Sequence, residues 1–265
     1  MDTLRSAAAL RIPENSSLYP YSSGDYSDGV RMIPLRDTIP SSSFPAVTLG
    51  LITLNTLIFI YQLSLGPGEE RFVLHYGFVP AVYLHTSHTE PWNLLVRFSP
   101  LFSSMFLHGG WLHLIGNMWT LWIFGDNVED RLGKVCFFLY YIVSGFAAVY
   151  FHYLAERTSG IPVIGASGAI AGVMGGYFVL FPRARILTLI PIVVFVQVVS
   201  IPAVWFLALW FLGQLLSGIV TTSVQIHGGV AWWAHVGGFL TGALLIFLFR
   251  QSPPRQQLLS SDHFT

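Results

Sequence analysis

The chain has 265 residues, 53% hydrophobic and only 10% charged, with a mean hydropathy of +0.61; soluble domains carry about 25% charged residues, so this is a membrane-protein balance. Formal net charge is zero and the Lys and Arg residues are scattered, so no basic stripe exists for phosphate neutralisation and nucleic acid is not expected as a partner. Cys136 is the only cysteine and sits in an apolar run, which excludes an internal disulfide framework and any multi-cysteine metal site.

Residues 1–44 read as a flexible cytoplasmic N-terminal tail, because Ser pairs and Pro13, Pro20, Pro34 and Pro40 interrupt any periodicity. No short apolar core followed by a small-residue cleavage site is present there, so no signal peptide is expected. Apolar runs follow at Pro45 to Leu63, Trp111 to Val128, Val135 to Tyr153, Ser167 to Phe181, Pro202 to Ser217 and Gly229 to Phe249. Crossing about 30 Å of hydrocarbon takes roughly 20 residues as a helix. Lipid offers no partner for backbone N–H and C=O groups, so the runs are assigned as helices. The expected fold is therefore an all-α membrane protein, a six-transmembrane-helix bundle over residues 45–250, with a flexible cytoplasmic C-terminal tail at 251–265. Between the fourth and fifth runs, Ile186 to Val199 is read as a non-spanning approach, and Pro202 as the first turn of the fifth helix.

Charge placement tests the count. With a cytoplasmic N-terminus, the inner segments hold Arg5, Arg11, Arg31, Arg36, Arg131, Lys134, Arg183, Arg185, Arg250 and Arg255, while the outer ones hold Arg71, Arg97 and Arg157. That asymmetry obeys the positive-inside rule, and a seventh span at 186–199 would break it. The expectation is a multi-pass protein of a bacterial-type plasma membrane with both termini cytoplasmic.

Polar side chains inside such runs are costly and need an account. The second run opens with His113 and Asn117, four residues apart and so on one helix face. The fourth begins Gly165-Ala166-Ser167-Gly168, and the sixth contains Ala234-His235. All three runs enter from the outer face, so these residues can converge at one depth. Gly168, Gly172 and Gly176 repeat at four on one helix, as do Ala234, Gly238 and Gly242 on another, and small residues at this spacing let backbones approach closely. Packing those faces together would bring Ser167 within hydrogen-bond reach of His235, the arrangement that activates a serine hydroxyl. A helix N-terminus at Ser167, with His113 and Asn117 as donors, suits the oxyanion of acyl transfer. No Asp or Glu lies within the runs near these residues, so a two-residue dyad is expected.

These motifs closely resemble the rhomboid family of intramembrane serine proteases, from about Pro45 to Phe249. The likeness rests on His108-Gly-Gly-Trp-Leu-His113-Leu-Ile-Gly-Asn117, on Glu129-Asp130-Arg131, on Gly165-Ala166-Ser167-Gly168, and on Ala234-His235 with Gly238 and Gly242. The resemblance implies Ser167 as nucleophile, His235 as base, and His113 with Asn117 as oxyanion hole, with His108 and Gly165 as possible supporting residues. It implies single-pass membrane proteins as substrates, cut near the outer membrane surface, and no cofactor. The chain departs from some members at Ala171, where they carry an aromatic that stacks on the histidine, and at Ser99 and Pro100, where many carry Trp-Arg. Trp92 and Arg97 stand nearby in the first outer loop.

Other readings of single residues remain open. His113 and Asn117 could form a structural interhelical hydrogen bond, and His108 could be a loop histidine without a role. Glu129 and Arg131 read as closing a cytoplasmic turn. Trp205, Phe206, Trp210 and Phe211 read as lipid-facing or core residues rather than a substrate gate. His85 and His88 sit in a flexible-looking loop without a His-Glu-x-x-His helix, so no metal is expected. An inactive escort relative would usually lack the serine or the histidine, and a transporter would show inverted repeats that are absent. The sequence sets no oligomeric state.

Overall fold

A computed structural model describes residues 32–192, 195–224 and 229–249 of the chain. In chain order these form β1 (Ile33–Asp37), α1 (Ala46–Ser64), α2 (Glu69–Tyr76), α3 (Pro80–Thr89), α4 (Leu94–Ser103), α5 (Trp111–Leu132), α6 (Lys134–Ala155), α7 (Ser167–Leu180), β2 (Arg185–Ile192), β3 (Phe195–Pro202), α8 (Ala203–Val224) and α9 (Trp232–Phe249). Each expected apolar run is a helix, and the protein is an all-α membrane bundle with a small sheet at one end. Among the described residues four helices, α1, α6, α8 and α9, are long and apolar enough to cross a membrane. Of the remaining two, α5 ends in Asp126, Glu129, Asp130 and Arg131. The other, α7, has 14 residues and so reaches only about 21 Å.

The short helix α7 lies at the centre, with buried residues from Gly168 to Tyr177 and neighbours α5, α6 and α9. Glycine makes that possible. A Cβ at Gly238 would collide with the carbonyl oxygen of Gly168, and one at Gly242 with that of Gly172. The α9 stripe expected from the small-residue spacing faces the α7 backbone, while Gly168, Gly172 and Gly176 of α7 turn first toward Ala148, Ser144 and Tyr140 of α6, and Gly175 is the α7 glycine pressed against the Phe239 carbonyl of α9. Tyr140 donates to the Gly172 carbonyl at 2.7 Å, tying α6 to the same seam.

Helix α1 starts after Pro45 with no side-chain cap of its own. Glu129 of α5 supplies one from a distance: its carboxylate accepts from the Val47 and Thr48 amides at 3.0 and 2.8 Å and from Thr48 Oγ1 at 2.8 Å. Buried negative charge at the positive end of a helix satisfies both its orphan donors and its dipole. Asp130 accepts from the amides and hydroxyls of Ser42 and Ser43 just upstream. The structural role expected of Glu129 is thus a helix cap.

Three local expectations are corrected. Within the tail expected through residue 44, Ile33–Asp37 is a strand that pairs antiparallel with β2. Strand pairing satisfies its backbone, while Trp119 Nε1 donates to the Pro34 carbonyl at 2.7 Å and Tyr177 and Asn127 donate to Asp37 at 2.6 and 2.8 Å. Burial pushes the Asp37 carboxyl above its usual range, against the lowering effect of the Tyr177 hydrogen bond. The rest of that expected tail, and the one at 251–265, lies outside the described residues. Next, the non-spanning approach at 186–199 is an antiparallel hairpin, with Arg185 opposite Pro202; its β-branched content favours strands. Pro202 closes β3 and α8 begins one residue later. Finally, the loop expected to carry His85 and His88 is helix α3, opened by Pro80 in its first turn.

Candidate active site

Ser167 is the first residue of α7, reached through Gly165 at φ +122°, a conformation that side chains rarely adopt. The Gly165 amide donates to the Ser104 carbonyl at 2.9 Å, which fixes the turn. On α9, Ala234 is buried against α7 and His235 follows it, half-buried. The consequence is a direct contact: His235 Nε2 lies 2.8 Å from Ser167 Oγ. Two residues 68 apart in the chain meet because the glycine seam lets their helices touch. Neither is sealed, since both keep partial exposure.

The other imidazole nitrogen is also occupied. His235 Nδ1 lies 2.6 Å from Oε1 of Gln214 on α8. The Trp210 ring, one turn earlier on that helix, stands 5.9 Å from the His235 ring at 34°, and Trp232 meets it edge-on at 6.3 Å. Ala171 is fully buried and offers no stacking surface, so the aromatic surroundings of His235 come from α8 and from α9 itself. Trp210 packs against the core and Phe239 as well as against His235, Trp205 is exposed, Phe206 is buried, and Phe211 packs on Phe239.

Across the turn, α5 brings up His113 and Asn117. A Cβ on Gly165 would come within 2.7 Å of His113 Nε2 and 3.6 Å of Asn117 Nδ2, so both nitrogens point at the backbone just before Ser167. Only glycine leaves that space open. The Gly109 amide donates to His113 Nδ1 at 3.3 Å, which puts the ring proton on Nε2 and makes it a donor. Asn117 is 7% exposed, and its Nδ2 has no hydrogen-bond partner among the described residues. A buried amide donor without a partner is costly, and it is the expected state of a group that waits for a ligand oxygen.

His108 is fully buried, edge-on to the His113 ring at 5.1 Å and to Phe59 at 6.4 Å. Burial, and secondly the neighbouring His113, hold its imidazole down to about 3. Its backbone is clamped by Gln62 of α1, whose Nε2 donates to the His108 carbonyl at 2.6 Å and whose Oε1 accepts from the His108 amide at 3.2 Å. Gln62 thereby steadies the loop whose next amide, that of Gly109, serves His113.

Six of the residues singled out from the sequence thus lie around one turn: Ser167, His235, His113, Asn117, His108 and Gly165. Trp92 and Arg97 make no contact with it among the described residues; Arg97, on α4, donates to the Pro91 carbonyl at 3.1 Å just before that helix. Gln214, Trp210 and Gln62 carry no site role in the sequence reading, although Trp210 is named there as a lipid-facing or core residue. The signal for the first two was available, since a glutamine in an apolar run needs a reason and Trp210 lies four residues away on the same face. Among the described residues no group of three His, Cys, Asp or Glu could hold a metal.

Comparison with known proteins follows the same residues. A family model described as the Rhomboid domain matches residues 95–252, more than half of the chain. The Danio rerio presenilin-associated rhomboid-like protein A, mitochondrial, is 27% identical over 205 residues, 74% of this chain and 46% of that protein. The Arabidopsis thaliana RHOMBOID-like protein 4 is 34% identical over 167 residues, 62% of this chain and 35% of its own length. The rhomboid protein YdcA of Bacillus subtilis is 27% identical over 222 residues, 80% of this chain and 92% of its own length. The chain spans less than half of the first two relatives. A mitochondrial, a plant and a bacterial relative do not single out one kind of membrane, and the expected bacterial-type plasma membrane gains no support from them.

Proposed function

Because the chain belongs to the rhomboid family, we propose that it is an intramembrane serine endopeptidase in which Ser167 is the nucleophile and His235 the general base. The observation that carries this reading is the 2.8 Å contact between Ser167 Oγ and His235 Nε2 beside an unpartnered Asn117 amide. In the first step Nε2 takes the hydroxyl proton as Oγ attacks a peptide carbonyl carbon. The oxygen of that carbonyl becomes anionic and is received by His113 Nε2–H and Asn117 Nδ2–H, near the amide-rich N-terminus of α7. The imidazolium then protonates the leaving amine, and water resolves the acyl-enzyme by the same route in reverse.

Substrates in this reading are single-pass transmembrane proteins, carried over from the family resemblance. Six helices cross the bilayer, both termini are cytoplasmic, and the site opens near the outer face. Ten basic residues on the inner segments against three on the outer support that orientation.

Purified protein in detergent should cleave a model transmembrane substrate, and Ser167→Ala and His235→Ala should each abolish cleavage while the fold persists. Cleavage by Ser167→Ala at the wild-type rate would end the reading. A fluorophosphonate probe should label Ser167 in the wild type and not in His235→Ala.

A further inference from the structure

Gln214 stands outside the pair just described, yet it holds the nitrogen of His235 that faces away from Ser167. A primary-amide oxygen can only accept a hydrogen bond, so at 2.6 Å from Oε1 the Nδ1 atom must carry the ring proton. A neutral imidazole with its proton on Nδ1 presents a lone pair at Nε2, the nitrogen 2.8 Å from Ser167 Oγ. We propose that Gln214 is a positioning residue for proteolysis: its side-chain oxygen selects the His235 tautomer that can accept the serine proton and aims the ring along the line to Ser167. The inference rests on the reading of Ser167 and His235 as nucleophile and base.

Three further observations agree. Gln214 lies in the run Trp-Phe-Leu-Gly-Gln-Leu-Leu, where its amide has no side-chain partner other than His235 among the described residues to account for its cost. Trp210, one turn away, borders the same imidazole, so a single face of α8 orients the ring by hydrogen bond and by contact. Ala171 leaves the ring without an aromatic support from α7, which increases what α8 must supply. A neutral acceptor also suits the setting. A carboxylate there would stabilise the imidazolium more, but burying its charge carries a desolvation cost that an amide avoids. The titratable side chains near enough to feel charge on His235 are His113 of α5 and His152 of α6.

The test compares kcat, KM and the kcat–pH profile of the wild type, Gln214→Met and Gln214→Glu on a transmembrane substrate in proteoliposomes, with Ser167→Ala as the blank. Gln214→Met keeps the length and removes the acceptor; kcat should fall about tenfold or more, with KM within about twofold and the thermal midpoint unchanged. Gln214→Glu should recover most of the lost kcat and move the acid limb of the profile to higher pH, because a carboxylate raises the basicity of the ring. A residue out of contact with the ring would give no movement of that limb, and a residue that merely packs would leave kcat unchanged in Gln214→Met. Wild-type kcat and profile in Gln214→Met, with Ser167→Ala inactive, would overturn the role of Gln214 alone; cleavage by Ser167→Ala would instead overturn the nucleophile. Should Gln214→Met fail to fold, Gln214→Glu decides, and an unmoved acid limb there refutes the proposal.

Discussion

Gly242 of α9 stands so near the Gly172 carbonyl of α7 that the two helix backbones are in direct contact, with no room for even a methyl group between them. Overpacking of a tight seam costs about 1–3 kcal/mol when neighbours can yield, and a carbonyl inside a helix yields little. Gly242→Val should therefore separate α7 from α9, lower the thermal midpoint in detergent, and abolish cleavage. Gly213→Ala on α8 is the contrast, since a Cβ there meets nothing within 4 Å. It should leave the midpoint unchanged or raise it, by up to about 1 kcal/mol of helix propensity. Equal destabilisation by both would show that glycine acts by flexibility and not by close approach.

Removing the unpartnered donor tests the other half of the site. Asn117→Ala should lower kcat about 10²- to 10³-fold, the usual effect of losing an oxyanion donor. Since that amide makes no hydrogen bond among the described residues, the substitution should not reduce thermal stability. A large loss of stability with little change in kcat would instead identify Asn117 as a structural interhelical bond.

His108 supplies a pH signature of the fold. Burial lowers its imidazole from 6.5 to about 3, so in acid the unfolded chain binds a proton that the folded protein refuses. Stability should be full above pH 6.5 and decline as pH falls from there toward 3, with a slope of up to one proton. Midpoints measured across that window should be flatter for His108→Asn than for the wild type. Parallel curves would mean that other groups control the acid limb.

Glu129 should matter far from the chemistry. Glu129→Ala leaves the Val47 and Thr48 amides without their acceptor, at a cost of about 1–3 kcal/mol for buried donors. The variant should unfold earlier, and near its own optimum temperature it should keep the kcat of the wild type. A selective loss of kcat with unchanged midpoint would place Glu129 in the reaction pathway.

What could be read from the sequence divides along a physical line. Ser167, His235, His113 and Asn117 were legible because polar groups in apolar runs are expensive, and because helix spacing and topology set them at one depth. The glycine stripes were legible for a similar reason, as their period matches a helix face. Gln214 and Gln62 escaped because their partners, the His235 ring and the His108 backbone, lie on other segments, so no spacing along one helix face marks them as it marks Asn117 beside His113. Strand β1 escaped because its partner lies over 140 residues away, as the bond from Tyr177 to Asp37 across 140 positions illustrates. No local pattern encodes such a pairing. Helices α3 and α4 were hidden by Pro80, which begins one, and Pro100, which interrupts the other, since each reads as a loop signal when taken alone.

The cap on α1 also has a bearing on biosynthesis. Val47 leaves the ribosome 82 residues ahead of the carboxylate that completes its helix turn. At about 5–20 residues per second, the gap lasts roughly 4 to 16 seconds. During that interval the first span must persist with its leading amides served by water or lipid headgroups, and arrival of α5 is what locks it in register.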